Sequence, residues 1–333
     1  MPNAGMIIGR WPGLYEQLDP TCGHSRGMMI HRFDGRPIIF QGPLHLSTDP
    51  AERAQTEQEE EAARRLAPMF DCHRGDLHAI LLAYAKSVGV DVRQGVRVER
   101  YEEGDEGASV VVDGERQVAD VVIAADGVKS AGRKAVLGFE DEPKSSGYAV
   151  FRAFFDGDLI RSNPACAHLV ADRVDQRNVW IGKDIHFITS GVRDTAEFSW
   201  VMTHIDKADV SEGWCEPGKI DEAIAVAAGF DPVVQAVIGC TPPGGLLDWK
   251  LVFRDPLPTW VSPLGKIGLL GDAAHPHLPT SIQGASQAIE DGATLAQTLW
   301  LAGGTKADVP LALRAYQEIR YNRTVRTQRL GVE

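Results

Sequence analysis

Residues 267–292 read IGLLGDAAHPHLPTSIQGASQAIEDG, and this is the most informative stretch of the chain. The apolar run 267–270 predicts a buried strand, which ends at Gly271-Asp272. Two prolines then interrupt regular structure before a predicted helix that begins near Gly284. A carboxylate accepts hydrogen bonds from hydroxyl groups, and the first N–H groups of a helix attract negative charge. The stretch therefore predicts a site for a polar ligand, although Gly271-Asp272 alone also fits an ordinary strand-loop-helix connection.

Two further motifs carry the same kind of chemistry. The apolar run 121–125 ends at Asp126-Gly127, a pair that is also common in plain tight turns. Arg74 stands in CHRGDL, where a helix is predicted to begin. Its guanidinium suits bidentate contact with phosphate, and a structural ion pair is the alternative.

Together these motifs resemble those of the single-component FAD-dependent aromatic hydroxylases, the salicylate hydroxylase-like branch of the para-hydroxybenzoate hydroxylase family. The resemblance implies FAD as cofactor, NADPH or NADH as a transient co-substrate, and O2-dependent hydroxylation of an aromatic, phenolic or polyketide-like small molecule. Epoxidation or ring expansion on the same flavin stays open. A truncated, non-catalytic paralogue or gene-model fragment with impaired FAD binding is the alternative from another class.

The resemblance also implies roles for individual residues. Asp272 would accept hydrogen bonds from the ribityl hydroxyls, and Pro279 would pack beside the isoalloxazine ring, close to the chemistry. The backbone after Gln283 would face the pyrimidine edge of the flavin, and Asp126 would help to organise both FAD and the pyridine nucleotide. The cofactor-binding residues expected on this basis are Arg74, Asp126, Gly127, Gly271, Asp272, Gly284, Ala285 and Ser286.

The substrate side rests on polar and aromatic side chains of predicted strands. Arg152 would orient an acidic or phenolic substrate, and His186 and His204 are candidate bases, because histidine titrates near neutrality. Each histidine also fits a purely structural role. The expected substrate contacts are Tyr148, Arg152, Trp180 and Trp249.

Domain organisation follows from where the buried strands fall. The chain contains no G-x-G-x-x-G after a strand, and its resemblance to the family begins at Pro2-Asn3-Ala4. We therefore expect a mixed α/β fold: an incomplete Rossmann-like FAD-binding domain that lacks its first βαβ unit, an inserted mixed-sheet substrate domain, and a C-terminal helix. The predicted boundaries are 1–23, 66–145 and 261–305 for the FAD-binding domain, 24–65 and 146–260 for the substrate domain, and 306–333 for the helix.

Composition narrows the partners. A net charge of −12 argues against nucleic acid, and no apolar run is long enough to span a bilayer. The five cysteines show no C-x-x-C spacing, and His275 and His277 come without the other ligands of a metal site, so no metal is expected. We expect a cytoplasmic protein, with a homodimer left open.

Local patterns predict the elements. The main expectations are one helix over 2–18, a solvated helix or loop over 50–65, a hairpin around Asp34-Gly35, a helix over 77–88, a strand meander over 90–118, a strand over 167–171, helical structure over 219–238 and a last helix over 309–327.

Overall fold

The computed structural model describes residues 2–25, 27–41, 59, 62, 65, 66, 68–206 and 216–331. The chain forms two compact units. The first comprises Met1–Trp11, Tyr84–Lys144 and Val252–Glu333, and the second comprises Pro12–Ala83 and Ser145–Leu251. The domain boundaries expected from the sequence place 12–23, 66–83 and 252–260 differently. Those boundaries stay a prediction, because a compact unit need not coincide with a functional domain.

Helices and strands alternate along the chain. In chain order the α-helices are α1 (Pro2–Ile8), α2 (Leu14–Leu18), α3 (Arg74–Ser87), α4 (Gly132–Leu137), α5 (Asp158–Arg161), α6 (Ile220–Val226), α7 (Pro232–Gly239), α8 (Gly284–Leu301) and α9 (Val309–Arg329). The strands are β1 (Met28–Arg32), β2 (Pro37–Gln41), β3 (Val98–Gly104), β4 (Gly107–Val112), β5 (Glu115–Ala119), β6 (Val122–Ala124), β7 (Lys144–Asp156), β8 (Arg177–Gly182), β9 (Ile185–Val192), β10 (Glu197–Ile205), β11 (Glu216–Pro217), β12 (Leu246–Phe253) and β13 (Ile267–Leu269).

A parallel strand pair lies at the centre of the first unit. β6 and β13 run side by side in the same direction, with Ile123 opposite Gly268. Helix α4 packs closely on this pair, since a Cβ on Gly132 would lie 2.3 Å from the Cβ of Ala124. Parallel strands end at the same edge of a sheet, so the loops that follow Ala124 and Leu269 emerge together.

The second unit is built on one mixed sheet of eight strands. Their order is β11-β12-β7-β10-β9-β8-β1-β2, and the β1–β8 pair is parallel whereas β7, β10, β9 and β8 pair in antiparallel fashion. Alternate residues of β10, among them Phe198, Trp200 and Met202, point into a core that also takes in side chains of α6 and α7. The expected mixed α/β fold with a mixed sheet and a C-terminal helix is confirmed.

Most local expectations agree with the structure. The hairpin around Asp34-Gly35 is present as β1 and β2, and the meander is present as β3, β4 and β5, although residues 90–93 form no strand. The last helix, α9, extends through Arg329. Helix α3 forms as well, but none of its side chains is buried.

Three local expectations were wrong. The predicted single helix over 2–18 is two helices, because α1 ends at Ile8 and α2 begins only after Gly13, whose φ is 75°. Residues 167–171 form a 3-10 turn instead of a strand, since the buried residues Leu169 and Val170 are consecutive and do not alternate. Helical structure over 219–238 is interrupted at Asp231, which caps α7 by accepting from the Val233 N–H. The expectation over 50–65 falls almost entirely outside the described residues.

Candidate functional site

The Asp126-Gly127 turn follows β6 directly. Asp126 Oδ2 accepts a hydrogen bond from the Ala131 N–H at 2.9 Å, which fixes the start of α4. Gly127 has a φ of 81°, a left-handed conformation that favours glycine. The Asp-Gly pair therefore has a structural role in this turn, and any ligand role is additional.

Arg133 joins this turn to the loop after β13. Its guanidinium is 3% exposed and donates to the carbonyl oxygens of Val128 at 2.6 Å, Asp272 at 2.5 Å and Ala273 at 2.7 Å. Burial lowers its pKa to about 10, and the nearby Arg254 adds to the shift. The sequence analysis missed Arg133. The sequence feature that could have indicated it is an arginine directly after the small residues Ala131 and Gly132.

Asp272 presents an unpartnered carboxylate to this edge of the sheet. The side chain is half-buried, and its two oxygens accept no hydrogen bond from the residues that the structure describes. Burial raises the pKa of Asp272, partly offset by His275 and Arg133. Gly284 approaches it closely, because a Cβ on this glycine would lie 3.8 Å from Asp272 Oδ1. The Asp272 oxygens are therefore open to solvent, and a hydroxyl-bearing ligand can replace that solvent as hydrogen-bond donor.

The first turn of α8 lies beside this carboxylate. The Gln287 N–H bonds to the Gln283 carbonyl at 2.9 Å, and no side chain caps the helix start. Within the described part of the chain, the N–H groups of Gly284, Ala285 and Ser286 therefore have no acceptor. These donors suit an electron-rich ligand edge.

The loop between β13 and α8 is irregular, as its two prolines predict. Pro279 is exposed in a 3-10 turn, Pro279–Ser281. Ile282 follows with a φ of 53° and is 71% exposed. A branched residue in the left-handed region stores backbone strain, a feature that clusters in ligand-binding loops.

A buried network supports the Gly271 turn from behind. Asp291 is fully buried and accepts from the Gly271 N–H at 3.0 Å, from His275 Nε2 at 2.6 Å and from Arg320 Nε at 2.8 Å. Burial pushes the pKa of Asp291 upwards, but the hydrogen bonds from His275 and Arg320 outweigh it and hold the pKa below its usual value. This network was not predicted from the sequence. Its members lie on three different segments, namely the loop after β13, helix α8 and helix α9.

His275 and His277 make hydrogen bonds within the protein, and His275 is part of the Asp291 network. His277 Nε2 lies 2.9 Å from the Thr327 hydroxyl. Among the described residues, no three His, Cys, Asp or Glu side chains come together as a metal-binding group.

In the second unit, strand periodicity sorts the predicted substrate residues onto two faces. Val201 of β10 lies opposite Arg152 of β7 and opposite Ile188 of β9, so Arg152 and His186 share one face of the sheet. Tyr148 lies on this face as well, and its hydroxyl donates to Asp184 Oδ1 at 3.4 Å.

Trp180 and His204 lie on the opposite face, in the core. Trp180 is 1% exposed, donates its indole N–H to Asp231 at 3.0 Å and stacks on His31. His204 is 8% exposed and stacks on Phe151. The sequence analysis expected substrate-facing positions for both. Successive side chains of a strand point to opposite faces of the sheet, and the register places Trp180 and His204 on the core face.

Two arginines lie close together over the other face. Burial lowers the pKa of Arg152, and the neighbouring charge of Arg74 lowers it further. The start of α3 packs here, since the rings of His73 and Phe154 are 4.6 Å apart. No carboxylate of the described residues forms an ion pair with Arg74 or Arg152, so neither guanidinium is directly neutralised. Trp249 is half-buried on β12.

In the part of the chain that the structure describes, no helix combines the length and apolarity needed to cross a membrane.

No protein-family profile matches the chain. It is 41% identical over 248 residues to the FAD-dependent monooxygenase fmqB of Aspergillus fumigatus, an alignment that covers 73% of this chain and 59% of that protein. It is 38% identical over 338 residues to asperlicin C monooxygenase of Petromyces alliaceus, covering 99% of this chain and 69% of that protein.

Solved structures give the same result. CtdE, in complex with FAD and its substrate, superimposes with a TM-score of 0.87 at 31% identity, covering 99% of this chain and 77% of that one. The chain thus spans between 59% and 69% of the length of the two curated relatives. By this similarity over almost its whole length, the chain belongs to the family of FAD-dependent monooxygenases.

Proposed function

We propose that this protein binds FAD and uses NADPH or NADH and O2 to hydroxylate an aromatic small molecule, phenolic or polyketide-like in character. The observation that carries the proposal is the half-buried Asp272 carboxylate, which lacks a donor beside the unpaired N–H groups that begin α8. Membership of the family of FAD-dependent monooxygenases supports it.

The residues of the first unit fit the flavin half of FAD. Asp272 would accept from ribityl hydroxyls, while the N–H groups of Gly284, Ala285 and Ser286 would donate to the pyrimidine edge of the ring. Gly271 lets α8 pack closely on this loop, because a Cβ on it would lie 3.1 Å from the Ala288 Cβ. When bound, the flavin supplies the redox chemistry that couples pyridine nucleotide oxidation to O2 activation.

These fixed donors favour negative charge at the N-terminus of α8. The N–H groups at a helix start carry partial positive charge, and they are held in place before any ligand arrives. Arg133 and Asp291 act as positioning residues. Arg133 donates to the Asp272 carbonyl oxygen, and Asp291 accepts from the Gly271 N–H. Asp126 and Gly127 would complete this edge.

The open sheet face of the second unit supplies groups for the substrate. Arg152, with Arg74 close by, would attract a phenolate or another acidic group, since neither arginine has a carboxylate partner in the described structure. Alternatively, Arg74 would contact the phosphate of bound FAD and not the substrate. Tyr148 and Trp249 would add aromatic contact.

His186 is the stronger candidate for the base. It is exposed on the same face as Arg152, where its imidazole would take the proton of a phenol and make the ring electron-rich. His204 lies in the core, and its Nε2 is 3.7 Å from Asp248 Oδ1, an arrangement that serves stability better than proton transfer. Trp180 is a core residue and has no part in this proposal.

Substrate-dependent oxygen transfer tests the proposal. The chain would be incubated with FAD, NADPH or NADH and a panel of phenols, with asperlicin C included because one relative is named for acting on it. We expect at least one compound to accelerate nicotinamide oxidation and to gain one oxygen atom from isotopically heavy O2. A product labelled from water, or no response across the panel with FAD bound, would contradict the hydroxylase function. A homodimer and a cytoplasmic location remain predictions, and light scattering tests the first.

A further inference from the structure

Cys22 and Cys72 face each other in the second unit, although they lie far apart in sequence. They form an isolated antiparallel bridge, flanked by a hydrogen bond from the Gly23 N–H to the Asp71 carbonyl at 2.8 Å. This pattern makes them a non-hydrogen-bonded pair, for which Cα atoms lie ~4.5 Å apart. That separation falls inside the range of about 4.4 to 6.8 Å that a disulfide bond accepts.

The two thiols differ in a way that suits disulfide chemistry. Cys22 is 2% exposed, and its S–H donates to the Leu18 carbonyl at 3.1 Å. The neighbouring Cys22 lowers the pKa of the Cys72 thiol, whereas Cys72 and burial raise the pKa of Cys22. Cys72 is partly exposed. It is therefore the thiol that an oxidant reaches, and the one that favours the reactive thiolate.

We propose that Cys22 and Cys72 form a redox modification site that closes into a reversible disulfide in the presence of a hydroperoxide. The Cys72 thiolate attacks the hydroperoxide, which gives a sulfenic acid and releases water or an alcohol. Cys22 then loses its proton and attacks the sulfenic sulfur, which forms the S–S bond and expels a second water. Two thiols are oxidised and one hydroperoxide is reduced, and an external dithiol reverses the change.

The position of the pair gives the bond a structural consequence. Residues 70–72 precede α3. This segment packs on the sheet through the Asp71–Arg177 ion pair and the His73–Phe154 ring contact. A disulfide would fasten this segment to residues 19–24 and restrict the opening of the start of α3. An effect on ligands of Arg74 would rest on the proposed function, but the bond itself would not.

A second thiol pair in the same unit provides an internal comparison. The sulfurs of Cys166 and Cys240 are 3.8 Å apart. Cys166 is fully buried, and burial raises its pKa to about 12, with Cys240 adding to the shift. Since the thiolate is the reactive species, we expect this pair to oxidise more slowly than Cys22 and Cys72.

The test is to map cross-linked peptides in the full chain. Reduced protein would be treated with one equivalent of hydrogen peroxide, alkylated, digested without reductant and examined by mass spectrometry. We expect a peptide that joins Cys22 to Cys72, two hydrogens lighter than its parts, formed independently of protein concentration and lost on treatment with dithiothreitol. It should vanish in Cys72→Ser and persist in Cys166→Ser.

A second readout addresses the consequence in the wild-type chain, so that it does not depend on how a variant folds. Amide exchange at Gly23, whose N–H bonds to Asp71, should slow on oxidation by on the order of tenfold, because the disulfide opposes local opening. The peroxide treatment must be strong enough to oxidise free glutathione. If Cys22 and Cys72 are then both recovered in the alkylated form, the proposal is wrong. Unchanged exchange at Gly23 in cross-linked protein would overturn the restriction at α3.

Discussion

The Arg133 guanidinium donates a hydrogen bond to the Asp272 carbonyl oxygen over 2.5 Å, although the two residues lie more than a hundred positions apart. This bond joins the loop after β6 to the loop after β13, since the same guanidinium also bonds to the Val128 carbonyl. The Asp272 side chain is therefore free to face a ligand while its backbone is held.

Replacing Arg133 should weaken both the fold and the site. Arg133→Lys keeps the charge but cannot reach three carbonyl oxygens at once, so buried acceptors lose their donors. We expect a loss of about 2 to 4 kcal/mol in the free energy of unfolding, measured by urea denaturation. Lys134→Ala is the matched control on the same helix, because Lys134 is 66% exposed. Equal effects of the two changes would show that Arg133 has no special role.

Two glycine substitutions should act in opposite directions. Gly132→Ala would place a Cβ 2.3 Å from the Ala124 Cβ and force α4 away from the sheet, at a cost of about 1 to 3 kcal/mol. Gly292→Ala lies in the exposed interior of α8 with open space around it, and should stabilise the protein by about 0.5 to 1 kcal/mol. Thermal unfolding measures both. A tolerated Gly132→Ala would show that the packing of α4 is looser than the structure indicates.

The stability of the first unit should fall in mild acid because of His277. Burial, followed by the charge of His275, lowers the pKa of His277 from 6.5 to about 4. Because the unfolded chain binds this proton first, the stabilisation is complete above pH 6.5 and is lost progressively as the pH falls to about 4. Urea unfolding between these values should show a loss on the order of 2 kcal/mol that His277→Gln reduces. The same pH dependence in both proteins would assign the effect to other groups.

The two candidate bases should separate in their pH profiles. If His186 accepts the substrate proton, His186→Gln should flatten the acidic limb of the rate of product formation while the fold stays intact. His204→Gln should keep that limb and lower the stability by about 1 to 2 kcal/mol, because His204 packs on Phe151 in the core. An unchanged profile for His186→Gln would remove it from the mechanism.

Sequence patterns predicted the fold best where a turn pair or a continuous apolar run marks an element. Asp34-Gly35 predicted a hairpin, and the apolar runs 121–125 and 267–270 predicted strands, which are present as β6 and β13. The helix over 2–18 was wrong because α1 already ends at Ile8 and α2 begins only after the left-handed Gly13, a break that composition does not reveal.

The site was predicted where its groups lie close together along the chain, as from Gly271 to Ser286. Contacts made across the fold were not. Arg133 and Asp291 reach the Gly271-Asp272 turn from another loop and another helix, and nothing in their own neighbourhood marks them. The faces of Arg152 and Trp180 depend on strand register, where a shift of one residue exchanges core for surface. The Cys22–Cys72 contact likewise arises only when two loops meet.

FAD binding by the full chain tests the central claim most directly. The visible spectrum and melting temperature would be recorded during titration with FAD, for wild type, for Asp272→Asn and for the control Asp120→Asn, whose side chain is 68% exposed. Because burial raises the pKa of Asp272, its charge costs stability once the pH rises above that pKa, so Asp272→Asn should melt higher without ligand at neutral pH. We predict saturable binding with a rise in melting temperature for wild type and Asp120→Asn, and clearly weaker binding for Asp272→Asn. A colourless wild-type chain whose melting temperature does not respond to FAD would contradict the claim.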